Sequence, residues 1–298
     1  MLRSDKLRAG KFDVDVPLVE RLLARQFPKW SHLPVVPVAE DGWDNWTFRL
    51  GETMKVRLPS AAGYAEQPAK EAAWLPRLAP HLPVPVPVPL ALGAPDLGFP
   101  WQWSVLGWLE GSPAAPATLP DPVAFARDVA GFLRALWHID AAGAPPPGPH
   151  NYRRGADPVA AYGDEARRSI DAITDRIDAR AAHALIDAAA SAPFAGPPVW
   201  LHGDLAAGNL PVREGRLAAV IDFGCLAAGD PAADLVIAWV FFTSDARQAF
   251  RDTLAVDDAT WLRVRVWALW KAALVTAKAS PTHPAENAPL AVISAVLE

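Results

Sequence analysis

The chain has 298 residues, of which 51% are hydrophobic and 20% charged, with a formal net charge of −5; this exceeds the usual size of one compact core and supports a folded protein of two lobes, with disorder confined to its ends. It carries no concentrated basic block, which excludes the footprint of a nucleic-acid binder, and its longest apolar run, Leu235 to Phe242, is far short of the roughly 20 residues that span a bilayer, so neither nucleic acid nor membrane is an expected partner. Cys225 is the only cysteine and Met1-Leu2-Arg3-Ser4-Asp5-Lys6 lacks the apolar stretch of a signal peptide, so no internal disulfide and no export are expected, and the default setting is cytoplasmic.

Asp15, followed by Pro17, Leu18, Leu22, Leu23 and Phe27, predicts a capped amphipathic helix ended by Pro28. From Val35 to Leu58 the pattern changes to short β-prone runs, and Trp46 to Leu50 and Met54 to Leu58 flank Gly51-Glu52 as the arms of a hairpin. A helix is expected over Glu66 to Leu78, trimmed at its ends by Pro68 and Pro76. In Pro83-Val84-Pro85-Val86-Pro87-Val88-Pro89 every second backbone donor is missing, so this segment reads as a stiff polyproline connector or an edge segment. Trp101 to Leu109 supplies one more strand, broken by Glu110-Gly111-Ser112-Pro113. The lobe boundary is drawn there, with residues 1–108 as an N-terminal lobe and 109–298 as a mainly helical C-terminal lobe.

In that second lobe Asp121-Pro122 caps a helix through His138 that buries Val129, Leu133, Leu136 and Trp137. Asp157-Pro158 caps another, along which Tyr162, Ala166, Ile170, Ile173, Ile177 and Leu185 recur at three- and four-residue steps. Ala141 to Pro149 is a glycine- and proline-rich loop, Leu235 to Phe242 a buried helix, and Trp261, Trp267 and Trp270 a stripe of the kind that packs a core.

The chemistry concentrates between His202 and Asp234. Val199-Trp200-Leu201 is a β-prone run leading into His202-Gly203-Asp204-Leu205-Ala206-Ala207-Gly208-Asn209, and Leu217 to Ile221 leads into Asp222-Phe223-Gly224, so each acidic residue stands at a strand end. Phosphoryl transfer needs a carboxylate to receive the attacking hydroxyl's proton and hard oxygen ligands to hold magnesium against phosphates. Asp204, with Asn209 and Asp222, supplies both, in the order and spacing of the kinase catalytic loop and its following metal-binding turn.

HGDLAAGN, then IDFG, then GDPAADL resembles the aminoglycoside phosphotransferase family and related antibiotic and small-metabolite kinases. The likeness runs from about Val35 to the C-terminal helices, with its specific motifs confined to His202 to Asp234. It implies an α+β, two-lobed protein kinase-like fold, with an N-terminal antiparallel sheet lobe that binds nucleotide and a larger helical lobe carrying the catalytic loop. It also implies Asp204 as catalytic base, Asn209 and Asp222 as Mg2+ ligands, His202 in a structural role and Asp234 as the aspartate that buttresses the loop. Asp230, before Pro231, fits a helix N-cap. Protein kinases themselves are disfavoured, because Gly203 stands where their loop carries an arginine and no Ala-Pro-Glu follows Asp222.

On the nucleotide side the resemblance puts Arg57 in the place of the family's phosphate-orienting lysine, with Glu71 as its partner. Arginine can bind phosphate, but with a different reach, and Lys55, two residues earlier on the same side of the strand, is the alternative. Gly42-Trp43-Asp44-Asn45 occupies the place of the phosphate-covering loop, which makes Asn45 a candidate contact, and Gly107-Trp108-Leu109 is the candidate hinge for the purine. The resulting expectation is an ATP- or GTP-dependent phosphotransferase that acts on a hydroxyl of a small molecule such as an aminoglycoside, with no obligate protein partner. A choline, homoserine, sugar or macrolide kinase, or a nucleotide-binding pseudokinase, stands as an alternative; a serine hydrolase is disfavoured by the lack of a Gly-x-Ser-x-Gly elbow.

Overall fold

The computed structural model describes residues 3–39, 41–280 and 282–298. The chain divides into two units: Met1–Pro80, Pro85–Glu110 and Asp222–Gly224 form the first, and His81–Val84, Gly111–Ile221 and Cys225–Glu298 the second.

The first unit comprises α1 (Arg3–Arg8), α2 (Val16–Gln26), β1 (Val35–Pro37), β2 (Asn45–Leu50), β3 (Met54–Pro59), α3 (Gln67–Leu78), β4 (Pro89–Gly93) and β5 (Trp103–Gly107). Helix α2 starts as its sequence demands, with the Asp15 carboxylate accepting the Leu18 N–H and proline in the first turn. The strands form one antiparallel sheet in the order β1-β2-β3-β5-β4. Alternation along β2, β3 and β5 sends Trp46, Phe48, Val56, Leu58, Trp103 and Val105 into a core shared with Leu18, Leu22 and Leu23 of α2. The opposite face of β3 and β5 carries Lys55 across from Leu106 and Arg57 across from Ser104.

Two details depart from expectation. Pro76 lies inside α3 instead of ending it, in the last turn, where its missing N–H removes one intrahelical bond. The proline-rich segment ends in a strand, since Pro89 opens β4, and among the described residues β4 pairs only with β5, with a register irregularity between Pro89 and Ala91. An edge strand tolerates proline because one side of its ladder has no neighbour to supply.

The second unit comprises β6 (Ser112–Pro113), α4 (Pro122–Trp137), α5 (Pro158–Asp171), α6 (Ala179–Ala190), β7 (Val199–Leu201), β8 (Pro211–Arg213), β9 (Arg216–Leu217), β10 (Ala227–Gly229), α7 (Ile237–Val240), α8 (Ser244–Leu254), α9 (Asp258–Ala277) and α10 (Pro289–Leu297). Helix α4 packs on α8, α5 on α6 and α9, and α10 on α9. The helix expected to run on from Asp157 through Leu185 is two: α5 stops at Asp171, and Asp178 caps α6 by accepting the Ala181 N–H. The apolar spacing continues across the break, which hid it. The run Leu217 to Ile221 is a strand only at its start; beyond it, isolated bonds hold the chain, from Ala218 N–H to the Pro211 carbonyl and from Ile221 N–H to the Asn209 carbonyl. The buried stretch after Asp230 opens as a three-ten turn, Pro231–Val236, before α7. Trp267 is buried, and Trp270 stacks on Tyr162 with ring centroids 4.4 Å apart. Among the described residues no helix is long and apolar enough to cross a membrane.

Candidate active site

In the second unit, β7 pairs with β10 and delivers the chain to His202. Gly203 follows at φ 83°, and a Cβ there would stand 2.3 Å from the Cys225 carbonyl oxygen, so the turn admits only glycine. Beneath it Asp234 is buried, its Oδ2 accepting the His202 N–H and its Oδ1 the Gly203 N–H, each at 2.7 Å. Burial pushes the Asp234 carboxyl up, and these two N–H groups act against that by favouring the carboxylate.

The His202 ring is committed at both nitrogens. Nδ1 accepts the Asp204 N–H at 3.2 Å, and Nε2 lies 2.9 Å from the Ile221 carbonyl oxygen, to which it can only donate. This pattern requires the neutral tautomer protonated at Nε2 and leaves no nitrogen for proton relay. Asn209 closes the loop, its Nδ2 donating to the Asp204 carbonyl oxygen at 2.9 Å, which leaves Oδ1 as a hard oxygen without a partner among the described residues. The Asp204 carboxylate is exposed and likewise has no partner among them. The loop therefore spends its backbone and neighbouring side chains on shape and leaves a carboxylate and an amide oxygen for ligands.

Asp230 does cap the following turn, accepting the Ala232 N–H at 3.1 Å. It also holds a buried ion pair that its N-cap reading did not include, with Arg263 of α9 donating from Nε at 2.7 Å and Nη2 at 3.2 Å.

In the first unit, Arg57 on β3 stands between two carboxylates. Its Nη1 donates to Glu71 Oε1 at 3.2 Å and its Nη2 to Asp222 Oδ1 at 2.7 Å. Burial opposes the guanidinium's charge, but Asp222 and then Glu71 outweigh it and raise the Arg57 pKa. Burial pushes the Glu71 carboxyl up, and Arg57 draws it back. Asp222 is held at φ 68°, a left-handed conformation that non-glycine residues rarely adopt. Lys55, on the same face of β3, is buried, and burial, reinforced by Arg57, lowers its pKa to about 8.

The structure ties Asn45 into the framework of this unit. Its Nδ2 donates to Gln67 Oε1 at 3.0 Å, and Gln67 Nε2 donates to Asp44 Oδ2 at 2.9 Å. A Cβ on Gly224 would meet the Gln67 side chain at 2.5 Å. Gln67 thus joins the 42–45 loop, the start of α3 and the Asp222–Gly224 turn; sequence reasoning missed it, as it missed Ser104 and Arg263, because an isolated polar residue in a helix or strand carries no spacing signal. In the candidate hinge, the Trp108 N–H already donates to the Thr53 carbonyl at 2.8 Å. Gly107 has open space where a Cβ would be, and the Leu109 N–H has no partner among the described residues.

Arg57, Glu71 and Asp222 are thus in mutual contact in the first unit, and His202, Asp204, Asn209 and Asp234 are bound into one loop in the second. Among the described residues no group of three or more His, Cys, Asp or Glu could hold a metal ion. A magnesium site does not require one, since that ion typically takes one or two carboxylates plus substrate phosphates and water.

The model of the phosphotransferase enzyme family, APH, matches residues 35–267. The chain belongs to this family. As a phosphotransferase it shares its fold with solved structures at low identity. The GDP complex of wild-type aminoglycoside 2'-phosphotransferase-IIIa is 17% identical, with 95% of this chain and 96% of that one covered and a TM-score of 0.66. A macrolide 2'-phosphotransferase from Brachybacterium faecium, solved as the apoenzyme, is 20% identical, with 95% and 96% covered and a TM-score of 0.58. A streptomycin and ATP ternary complex of an aminoglycoside phosphotransferase is 18% identical, with 90% and 96% covered and a TM-score of 0.57. The phosphotransferase therefore has the kinase-like α+β fold, with an antiparallel sheet in one unit and mainly helices in the other. No curated protein sequence matches the chain.

Proposed function

We propose that this phosphotransferase moves the γ-phosphoryl group of ATP or GTP to a hydroxyl of a small-molecule antibiotic of the aminoglycoside or macrolide type, in the cytoplasm. The observation that carries the proposal is the catalytic loop: Asp234 and His202 fix its backbone, Asn209 closes it, and the Asp204 carboxylate is left exposed with no partner among the described residues. The acceptor oxygen bonds to the γ-phosphorus while the bond from that phosphorus to the β–γ bridging oxygen breaks. The hydroxyl proton passes to Asp204, and the products are a phosphomonoester and a nucleoside diphosphate. Such catalysis is positioning and charge neutralisation more than covalent chemistry.

Asn209 and Asp222 would hold magnesium by their place in the motif; their oxygens are the hard donors that ion takes, and the Asn209 amide nitrogen is spent on the Asp204 carbonyl oxygen, which leaves Oδ1 for the ion. Magnesium, when bound, neutralises phosphate charge. The Leu109 N–H is a main-chain donor left for the purine among the described residues, since the Trp108 N–H donates to the Thr53 carbonyl oxygen and Gly107 is paired with Met54 in the sheet. The nucleotide donor and the antibiotic acceptor are supported by the relatives solved with GDP and kanamycin and with ATP and streptomycin.

The test is to incubate the purified protein with Mg-ATP or Mg-GTP and a panel of aminoglycosides, macrolides and metabolic alcohols. Product carrying one added phosphoryl group on an antibiotic supports the reading. Nucleotide binding, seen as a rise in melting temperature, without transfer to any of the panel would replace it with a nucleotide-binding module.

A further inference from the structure

We infer that Lys6 is a positioning residue for the donor nucleotide: its ammonium ties together the two ends of the 41–45 loop and so sets the main chain that meets the phosphates. The inference rests on the phosphotransferase reading above, in which that loop covers the phosphate chain. It assigns a task to a residue of the N-terminal segment that lies far outside the catalytic motifs.

Lys6 lies on α1 and is fully buried. Its Nζ donates to Asp41 Oδ2 and, at 2.7 Å, to the Asn45 carbonyl oxygen, so it has one acceptor at each end of the loop. The ammonium also stands 4.1 Å from the centroid of the Trp46 ring, whose Nε1 donates to the Phe12 carbonyl at 2.7 Å. Sheet geometry explains why a side chain is needed here. Carbonyls along one edge of a strand recur at every second residue. Strand β1 accompanies β2 as far as the Val38 N–H, which donates to the Thr47 carbonyl. The next carbonyl on that edge, that of Asn45, accepts from Lys6 in place of a strand.

The remaining bonds hold the loop from Trp43 onward. Gln67 binds the side chains of Asn45 and Asp44, and Ser60 donates from its N–H to the Asp44 carbonyl at 2.8 Å and from its hydroxyl to the Trp43 carbonyl at 2.9 Å. The Gly42 and Trp43 N–H groups have no partner among the described residues, and successive free N–H groups in a turn are a concavity that takes anions. Burial lowers the Lys6 pKa and Asp41 opposes that, so the ammonium is held in place at a cost. A buried ion pair adds little net stability over apolar side chains of the same volume. What this one adds is a fixed separation of the two loop ends. Asp41 Oδ1 is buried and makes no hydrogen bond among the described residues; without Lys6 the whole carboxylate would be uncompensated, and the Asp41 end of the loop would have to move.

The test compares binding of Mg-ATP or Mg-GTP with that of the matching nucleoside by calorimetry, in the wild-type chain, Lys6→Met and the double variant Lys6→Met with Asp41→Leu, beside a thermal melt of each. Lys6→Met should melt lower than the wild type and bind the triphosphate about 5- to 20-fold more weakly, with nucleoside affinity changed less than about twofold. The double variant, with both charges gone, should regain the wild-type melting temperature to within about 3 °C and still bind the triphosphate weakly. A lysine that served stability alone would lose and regain affinity together with the melting temperature. Triphosphate affinity unchanged in Lys6→Met, affinity restored in the double variant, nucleoside affinity falling as far as that of the triphosphate, or a double variant that does not fold would each overturn the assignment. If Lys6→Met itself fails to fold, the double variant carries the comparison. A wild-type chain that binds neither ATP nor GTP would overturn the phosphotransferase reading as well, whereas normal wild-type binding with unaffected variants removes Lys6 alone.

Discussion

Arg57 donates to Asp222 at 2.7 Å across 165 residues of chain, and the other end of the same guanidinium holds Glu71. Breaking such a buried arrangement from one side leaves a carboxylate uncompensated. Arg57→Met should therefore destabilise the fold by about 3 kcal/mol or more, read as a lower urea midpoint at unchanged slope. Adding Glu71→Leu should recover part of that loss, because the double variant removes the buried pair and leaves only Asp222, whose side chain is 34% exposed. A single variant as stable as the wild type would mean that the bridge contributes nothing to the fold.

Lys55 gives a stability prediction with a defined pH window. Its pKa falls from 10.5 in the unfolded chain to about 8 in the folded one, chiefly through burial. Between those values the unfolded chain keeps a proton that the folded chain has lost, so this group makes stability rise with pH across the window and weighs fully against folding below about pH 8. Lys55→Met should accordingly stabilise the protein at pH 7 by up to about 3 kcal/mol, with the advantage shrinking as pH climbs toward 10.5. Urea melts of both proteins across that range check it; a destabilised Met variant at pH 7 would contradict it.

Asp234 supports the loop with one oxygen on each of two successive N–H groups. Asp234→Asn keeps the volume but replaces one acceptor with a donor facing a donor. The expected result is a folded protein whose kcat drops by about 10- to 100-fold with nucleotide Kd little changed, since a displaced loop costs positioning more than binding. Steady-state kinetics beside nucleotide calorimetry separate the two.

Gly203→Ala attacks the same loop from above. The added methyl would stand 2.3 Å from a backbone oxygen at a positive φ, so the loop must shift by a sizeable fraction of an ångström. A turnover loss on the order of 100-fold is expected. Activity near that of the wild type would show that the loop relaxes without cost.

The parts of this molecule that could be read from the chain alone are those whose signal is local. Asp15-Pro17, Asp121-Pro122 and Asp157-Pro158 cap their helices because an N-cap carboxylate and an early proline act within one turn. HGDLAAGN was legible as a motif because its acidic and amide residues lie within one loop. The break between α5 and α6 was not, since Ile173, Ile177 and Leu185 continue the apolar spacing through it. Strand β4 was hidden behind alternating proline, which marks an edge without saying whether it pairs. The bridge from Arg57 to Asp222, the Gln67 hub and the Arg263–Asp230 pair join residues 165, 22 to 23 and 33 positions apart, and no spacing rule reaches that far.

The central claim is that Asp204 receives the proton of the acceptor hydroxyl. Asp204→Ala, assayed with Mg-ATP or Mg-GTP and the acceptor that the wild-type enzyme phosphorylates, measures it most directly. Turnover should fall by about 100- to 10,000-fold while nucleotide affinity stays close to that of the wild type. Near-normal turnover in that variant would contradict the claim.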